Sequence, residues 1–177
     1  RTRASALKAQ KRAKQNLLSF LLRKGMVYPF GGRAKYWTQQ FFAWLKTLEF
    51  SNPVERYSFE EYLAEVNHQI SRISRLDDKI AELAEDPLIK DDVKKLCCFS
   101  GISTLTAVSF ISEIGDFNRF QKATYFSNYL GLCPGIHKSG LSSQSLGITK
   151  TGNKNLRRLL IESAQSMSHS QICGKKS

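Results

Sequence analysis

The chain has 177 residues, room for one ordinary domain or for a small domain with a helical appendage. A hydrophobic content of 41% is enough for a packed core and excludes a wholly disordered chain. The net charge of +12, from 27 Lys+Arg against 15 Asp+Glu, points to a polyanionic partner.

A helical pattern is already running at Arg1, as in a fragment that begins in mid-helix. Leu7, Leu18 and Leu21 mark an apolar face, Lys8, Lys11 and Arg12 lie on another, and Gly25 ends the helix. Pro29-Phe30-Gly31-Gly32 reads as a loop. The spacing Trp37, Phe41, Trp44, Leu45, Leu48 is helical and predicts core packing rather than a base-stacking platform. From Ser58 to about Glu85, Phe59, Tyr62, Val66, Ile70, Ile73, Leu76, Ile80 and Leu83 recur at three- and four-residue steps. This suits a coiled-coil seam, or a helix folded back on 36–48 as a hairpin, and Asp86-Pro87 breaks it.

Further on, Ala107, Phe110, Ile111 and Ile114 share one helix face, and Ala123, Phe126 and Leu130 mark a helix ended by Gly131. A Gly-, Ser- and Pro-rich loop is expected from Leu132 to Gly147, then a final helix with Leu156, Leu159, Leu160 and Met167 inside. The fold class is therefore mainly α: a helical hairpin or coiled-coil linker, followed by a compact helical domain with a helix-hairpin-helix-like motif.

Charge is unevenly spread. Residues 1–50 carry 11 basic and 1 acidic side chains, 51–100 carry 7 and 11, and 101–177 carry 9 and 3. Two basic segments thus flank a solvated acidic spacer. No run is long enough to span a bilayer and the basic start is not a signal peptide, so a cytoplasmic protein with no membrane partner is expected. Cys97, Cys98, Cys133 and Cys173 have no metal-ligand spacing and read as reduced, buried thiols.

Three constellations could carry chemistry. Phe99-Ser100-Gly101-Ile102-Ser103 between two helices has the form of a helix-hairpin-helix, with Gly101 and Ser103 facing a phosphate at a helix start; a plain helical hairpin is the alternative. In Ile148-Thr149-Lys150-Thr151-Gly152-Asn153-Lys154-Asn155-Leu156-Arg157-Arg158, Asn153 suits an N-cap. Lys154, Arg157 and Arg158 follow on the first turns, with Lys150 just before, where a phosphodiester would dock. In Pro134-Gly135-Ile136-His137-Lys138-Ser139-Gly140, a serine hydroxyl stands beside Lys138 and His137, shortly before that cationic helix mouth. Ser142, Ser143 and Ser145 share the loop, and spacing does not choose among the serines.

The succession of Gly101-Ile102 with Thr106-Ala107, Glu113-Ile114-Gly115-Asp116, Arg119-Phe120, Tyr129-Leu130-Gly131-Leu132 with Pro134, Ser139-Gly140, Ile148-Thr149-Lys150 with Gly152-Asn153, and Leu156-Arg157 resembles one family. It is the C-terminal transposase domain of the DEDD, or Piv-invertase-like, insertion-sequence transposases (the IS-one-ten group), which include recombinases guided by a bridge RNA. The resemblance implies a two-part active site. An N-terminal RuvC-like domain holds Mg2+ with four acidic residues, and the C-terminal domain supplies a serine that attacks DNA. The matching position is Ser139.

On this resemblance, 1–24 is the terminal helix of a missing RuvC-like domain, 25–88 the helical linker, 89–170 the transposase C-terminal domain and 171–177 a tail. No cofactor is expected in this chain. DNA is the expected partner, with a guide RNA and a homo-oligomeric assembly. Two other functions compete: a non-catalytic nucleic-acid-binding fragment of a truncated element, and an oligomerisation protein built on the 58–85 helix. The isolated chain is expected to bind nucleic acid without recombining it.

Overall fold

The computed structural model of the protein describes residues 1–30, 32, 36–139 and 142–173, and among these the side chains of all but 136–139, 142–145 and 168–173. The described residues are mainly helical: α1 (Thr2–Arg23), α2 (Gln39–Lys46), α3 (Pro53–Ala84), α4 (Lys90–Cys97), α5 (Thr104–Ile114), α6 (Ala123–Leu130), a two-stranded hairpin of β1 (Pro134–Ser139) and β2 (Ser142–Ile148), and α7 (Lys154–Cys173). They form two compact units, 1–78 and 79–177, with the boundary inside α3. Among the described residues no helix is long and apolar enough to cross a membrane.

In the first unit α1 and α3 run antiparallel. Arg3, near the start of α1, binds Asp77 through two hydrogen bonds, while Lys24, just past its end, meets Glu55 at 2.6 Å. Between these clamps Leu17, Phe20 and Leu21 of α1 pack with Phe59 and Val66 of α3 and with Phe41 and Leu45 of α2. Each such buried side chain contributes about 1.5–3 kcal/mol, against about 0–1 for a partly exposed ion pair. Apolar packing therefore stabilises the unit, and the clamps set the register.

The first half of the apolar seam expected at 58–85, Phe59, Tyr62, Val66 and Ile70, is spent on this packing. Its helix begins five residues earlier than expected: Pro53 needs no N–H at the first helical position, and the Asn52 side chain accepts from Val54 N at 2.8 Å. Trp37 lies outside α2 with φ +67°, and the helix opens after Thr38, whose Oγ1 accepts from Phe41 N. The expected helical run from Trp37 to Leu48 is thus shorter at both ends. Its core assignment holds for Phe41 and Leu45.

In the second unit Phe110 and Ile114 of α5, Leu130 of α6 and Leu156 of α7 form one cluster, and Ala84, Val93 and Ala107 form another. Several expected inward residues face out instead. Leu7, Leu83 and Met167 are each about 40% exposed, whereas Ala6, Ala84 and Ser163 are buried. At Ser163 the Gly101 backbone lies close against α7, which favours a small side chain there. Ala123 is also exposed. Cys97 and Cys98 are exposed rather than buried, because the short helix α4 turns Val93 inward and leaves its C-terminal end in solvent.

The largest difference concerns 132–147. In place of an open loop, β1 and β2 pair antiparallel from Pro134↔Ile148 to Ser139↔Ser142, with one irregularity between Pro134 and Ile136. The many Gly and Ser residues there hide the alternation by which a half-buried strand is recognised.

Candidate nucleic-acid interface

The site is built where α6 ends and α7 begins. Gly131 adopts the left-handed conformation at φ +67°, and the N–H groups of Gly131 and Leu132 return to the carbonyls of Asn128 and Ser127. This Schellman closure leaves the carbonyls of Tyr129, Leu130 and Gly131 to be satisfied from elsewhere. The segment 150–157 supplies all three partners. Asn153 N donates to Tyr129 O at 3.4 Å, Arg157 Nη1 to Leu130 O at 2.7 Å, and Lys150 N to Gly131 O at 3.0 Å. The backbones touch so closely that a Cβ on Gly152 would lie 2.0 Å from Tyr129 O, and one on Gly131 would lie 2.7 Å from the amide nitrogens of Thr151 and Gly152.

Asn153 caps α7, as its position predicts. Its Oδ1 accepts from Asn155 N and Leu156 N, and its Nδ2 donates to Glu113 Oε2 at 2.9 Å, which ties α5 to the start of α7. The three cations expected on one solvent face divide. Arg157 is turned inward, 9% exposed, with its guanidinium on the Leu130 carbonyl at the negative end of α6. Lys150 and Lys154 stay exposed, as does Arg158, which meets Glu162 at 2.8 Å one turn on. That exposed i,i+4 pair is worth about 0.3–0.5 kcal/mol, weak enough for a phosphate to displace.

Ser139 pairs with Ser142 at the far end of the hairpin, beside Lys138↔Ser143 and His137↔Gln144. The side chains of Lys138 and Ser139, and the whole of Gly140, lie outside the described residues. The near end of the hairpin is held by Thr149 N on Cys133 O, next to the Lys150–Gly131 bond. The strand from Pro134 to Ser139 thus separates Ser139 from that anchored end by about 16 Å at about 3.3 Å per residue. Along the strand, Ser139 is therefore separated from the Lys150–Gly131 anchor rather than adjacent to it.

Gly101 has φ +84°, and a Cβ there would meet the Ser163 backbone of α7 at 2.3 Å. The space beside it is filled by protein. Ser103 is exposed and caps α5, accepting from Thr106 N at 3.3 Å. Two partners were not foreseen from sequence, the Glu113 carboxylate and the Leu130 carbonyl. The paired glycines 131 and 152 were the visible trace of the close contact that creates them.

Comparison with known proteins bears on this unit directly. Residues 93–176 match a family model described as Transposase IS116/IS110/IS902 family. Protein y4qE of Sinorhizobium fredii, a transposase by its name, is 31% identical over 176 residues, 99% of this chain and 41% of that protein. The transposase for insertion sequence element IS1533 of Leptospira borgpetersenii is 32% identical over 155 residues, 86% of this chain and 44% of that protein. The pilin gene-inverting protein of Moraxella bovis is 32% identical over 99 residues, 54% of this chain and 30% of that protein. The chain spans less than half the length of each of these relatives. Residues 93–176, with the α5–α6–α7 junction at their centre, thus match the transposase domain of the IS116/IS110/IS902 family.

Proposed function

We propose that this chain is the DNA-binding, serine-bearing C-terminal part of an insertion-sequence transposase, acting in DNA transposition and recombination. One observation carries the reading. In the segment that matches the transposase family, Gly152, Asn153 and Arg157 are spent on joining three helices, while Lys150, Lys154 and Arg158 remain exposed on the same stretch. A rigid junction bearing outward cations holds a phosphodiester at a fixed place. The guide RNA and homo-oligomeric assembly implied by the family resemblance belong to the same proposal.

In this reading Ser139 is the nucleophile. Its Oγ attacks a DNA phosphorus and gives up its proton, and the displaced deoxyribose oxygen takes one, leaving a phosphoserine link. Magnesium would assist by polarising the phosphate. On the family resemblance, the acids that would hold the metal belong to a RuvC-like domain of a longer protein.

The exposed cations act without Ser139, so the chain alone is a binding module. Fluorescence anisotropy with a 30-base-pair duplex between about 50 and 200 mM salt tests this. Lys154→Ala with Arg158→Ala flattens the log–log salt dependence by about two units. A slope unchanged by that pair of substitutions contradicts the assignment.

A further inference from the structure

The first unit carries a second, separate concentration of charge. Helix α1 contains no Asp or Glu, and Lys8, Lys11, Arg12 and Arg23 are exposed. Among the described residues none of the four has a carboxylate partner. On α3 and α4, by contrast, Arg56 meets Glu60, Lys79 meets Glu82 and Lys95 meets Asp92 within a turn. On α1 the i,i+3 and i,i+4 neighbours Lys8, Lys11 and Arg12 repel instead, a cost of about 0.2–0.5 kcal/mol per pair with no gain to the fold. The buried face of the same helix, Ala6, Ala13, Leu17, Phe20 and Leu21, lies opposite.

At about 100° per residue, Lys8, Lys11, Arg12, Gln15, Asn16, Ser19 and Arg23 fall within an arc of about 140°. Gln15, Asn16 and Ser19 are also exposed. The order along the axis is cations, then two amides and a hydroxyl, then a cation. From Lys8 to Arg23 is about 22 Å at about 1.5 Å per residue.

We propose that this face of α1 is a binding surface for duplex DNA, distinct from the junction in the second unit. The chemistry fits a helix laid on the major groove, which is about 12 Å wide. Lys8, Lys11 and Arg12 reach the phosphates of one wall and Arg23 those of the other. Gln15 and Asn16 face the floor, where side-chain amides pair with adenine edges. Duplex RNA has a deep, narrow major groove that does not admit such a face.

The test separates this surface from the proposed junction site. The starting protein is the full chain carrying Lys154→Ala and Arg158→Ala, probed with a 30-base-pair duplex DNA and the same sequence as duplex RNA. Salt-dependent DNA binding persists in that background. Adding Lys8→Gln, Lys11→Gln, Arg12→Gln and Arg23→Gln lowers the log–log salt slope by a further three to four units, with an unchanged circular dichroism spectrum. Gln15→Ala with Asn16→Ala leaves the slope unaltered and narrows the spread of affinities across a panel of duplex sequences. The proposal is overturned if the four glutamines leave the slope where it was, or if duplex RNA loses affinity as much as DNA does. Loss of all binding in the starting background, before α1 is touched, also overturns it while supporting the junction site.

Discussion

Arg157 of α7 donates to the main-chain carbonyl of Leu130, 27 positions earlier, at 2.7 Å. An arginine flanked by the buried Leu156 and the exposed Arg158 is thus the plug at the C-terminal end of α6, and also reaches Gly152 O at 3.4 Å. A hydrogen bond from a charged donor to a buried carbonyl is worth about 1.5–3 kcal/mol, and losing it leaves that carbonyl unsatisfied. Arg157→Ala should lower unfolding stability by about 2–4 kcal/mol in urea, whereas Arg158→Ala should cost under about 0.5. If the two substitutions destabilise equally, the division between structural and exposed arginine is wrong.

The Gly152 contact makes a sharper prediction. A methyl there would sit 2.0 Å from Tyr129 O, and what must yield is backbone on both sides. Gly152→Ala should therefore cost more than about 3 kcal/mol or prevent folding of the second unit. Gly25 is the control, since it has φ +69° and nothing within 4 Å. Gly25→Ala should cost only about 1–2 kcal/mol of backbone strain. Thermal unfolding of the two variants, side by side, checks the ranking.

Asn153 joins a cap to a cross-link. Asn153→Asp keeps the acceptor for the α7 amides but places a second carboxylate beside Glu113. Asn153→Ala should cost about 1–2 kcal/mol through the lost cap. Asn153→Asp should be at least as damaging at neutral pH and recover on combination with Glu113→Gln. No recovery in the double variant would mean that the link is not energetic.

Asp77 provides a pH signature in the first unit. The hydrogen bond from Arg3, reinforced by its charge and opposed by slight burial, holds the Asp77 carboxyl below its ordinary value. A carboxyl depressed in the folded state stabilises above the unfolded value, about 3.9. That contribution is lost as pH falls through the depressed folded value. The stability difference between wild type and Asp77→Asn should be present at pH 7, under about 1 kcal/mol because the pair is partly exposed, and should disappear in acid. A difference that grows in acid contradicts the assignment.

Much of this architecture was legible because its signals are local. Gly25 and Gly131 stop helices, Asn153 starts one, and Ala107, Phe110 and Ile114 share a face at helical spacing. What escaped depends on partners distant in sequence. Periodicity ranks residues by size and polarity, so it sent Leu7, Leu83 and Met167 inward, whereas the buried positions are Ala6, Ala84 and Ser163. The role of Arg157 was hidden for the same reason, since only α6 packed against α7 brings Leu130 O within reach. The hairpin was hidden because Ser and Gly on both strands give no alternation. The residues of the α6–α7 junction were therefore visible in the sequence, whereas its contacts, and the position of Ser139 at the far end of a ribbon, were not.

Trapping of a covalent protein–DNA product tests the central claim most directly. The chain would be joined to a RuvC-like domain of a longer relative, supplied with magnesium and incubated with DNA carrying the element's end. With Ser139 intact, denaturing electrophoresis should show a DNA-linked band. It should vanish with Ser139→Ala, while binding and salt dependence stay unchanged. A linked band of undiminished intensity from the alanine variant would contradict the account.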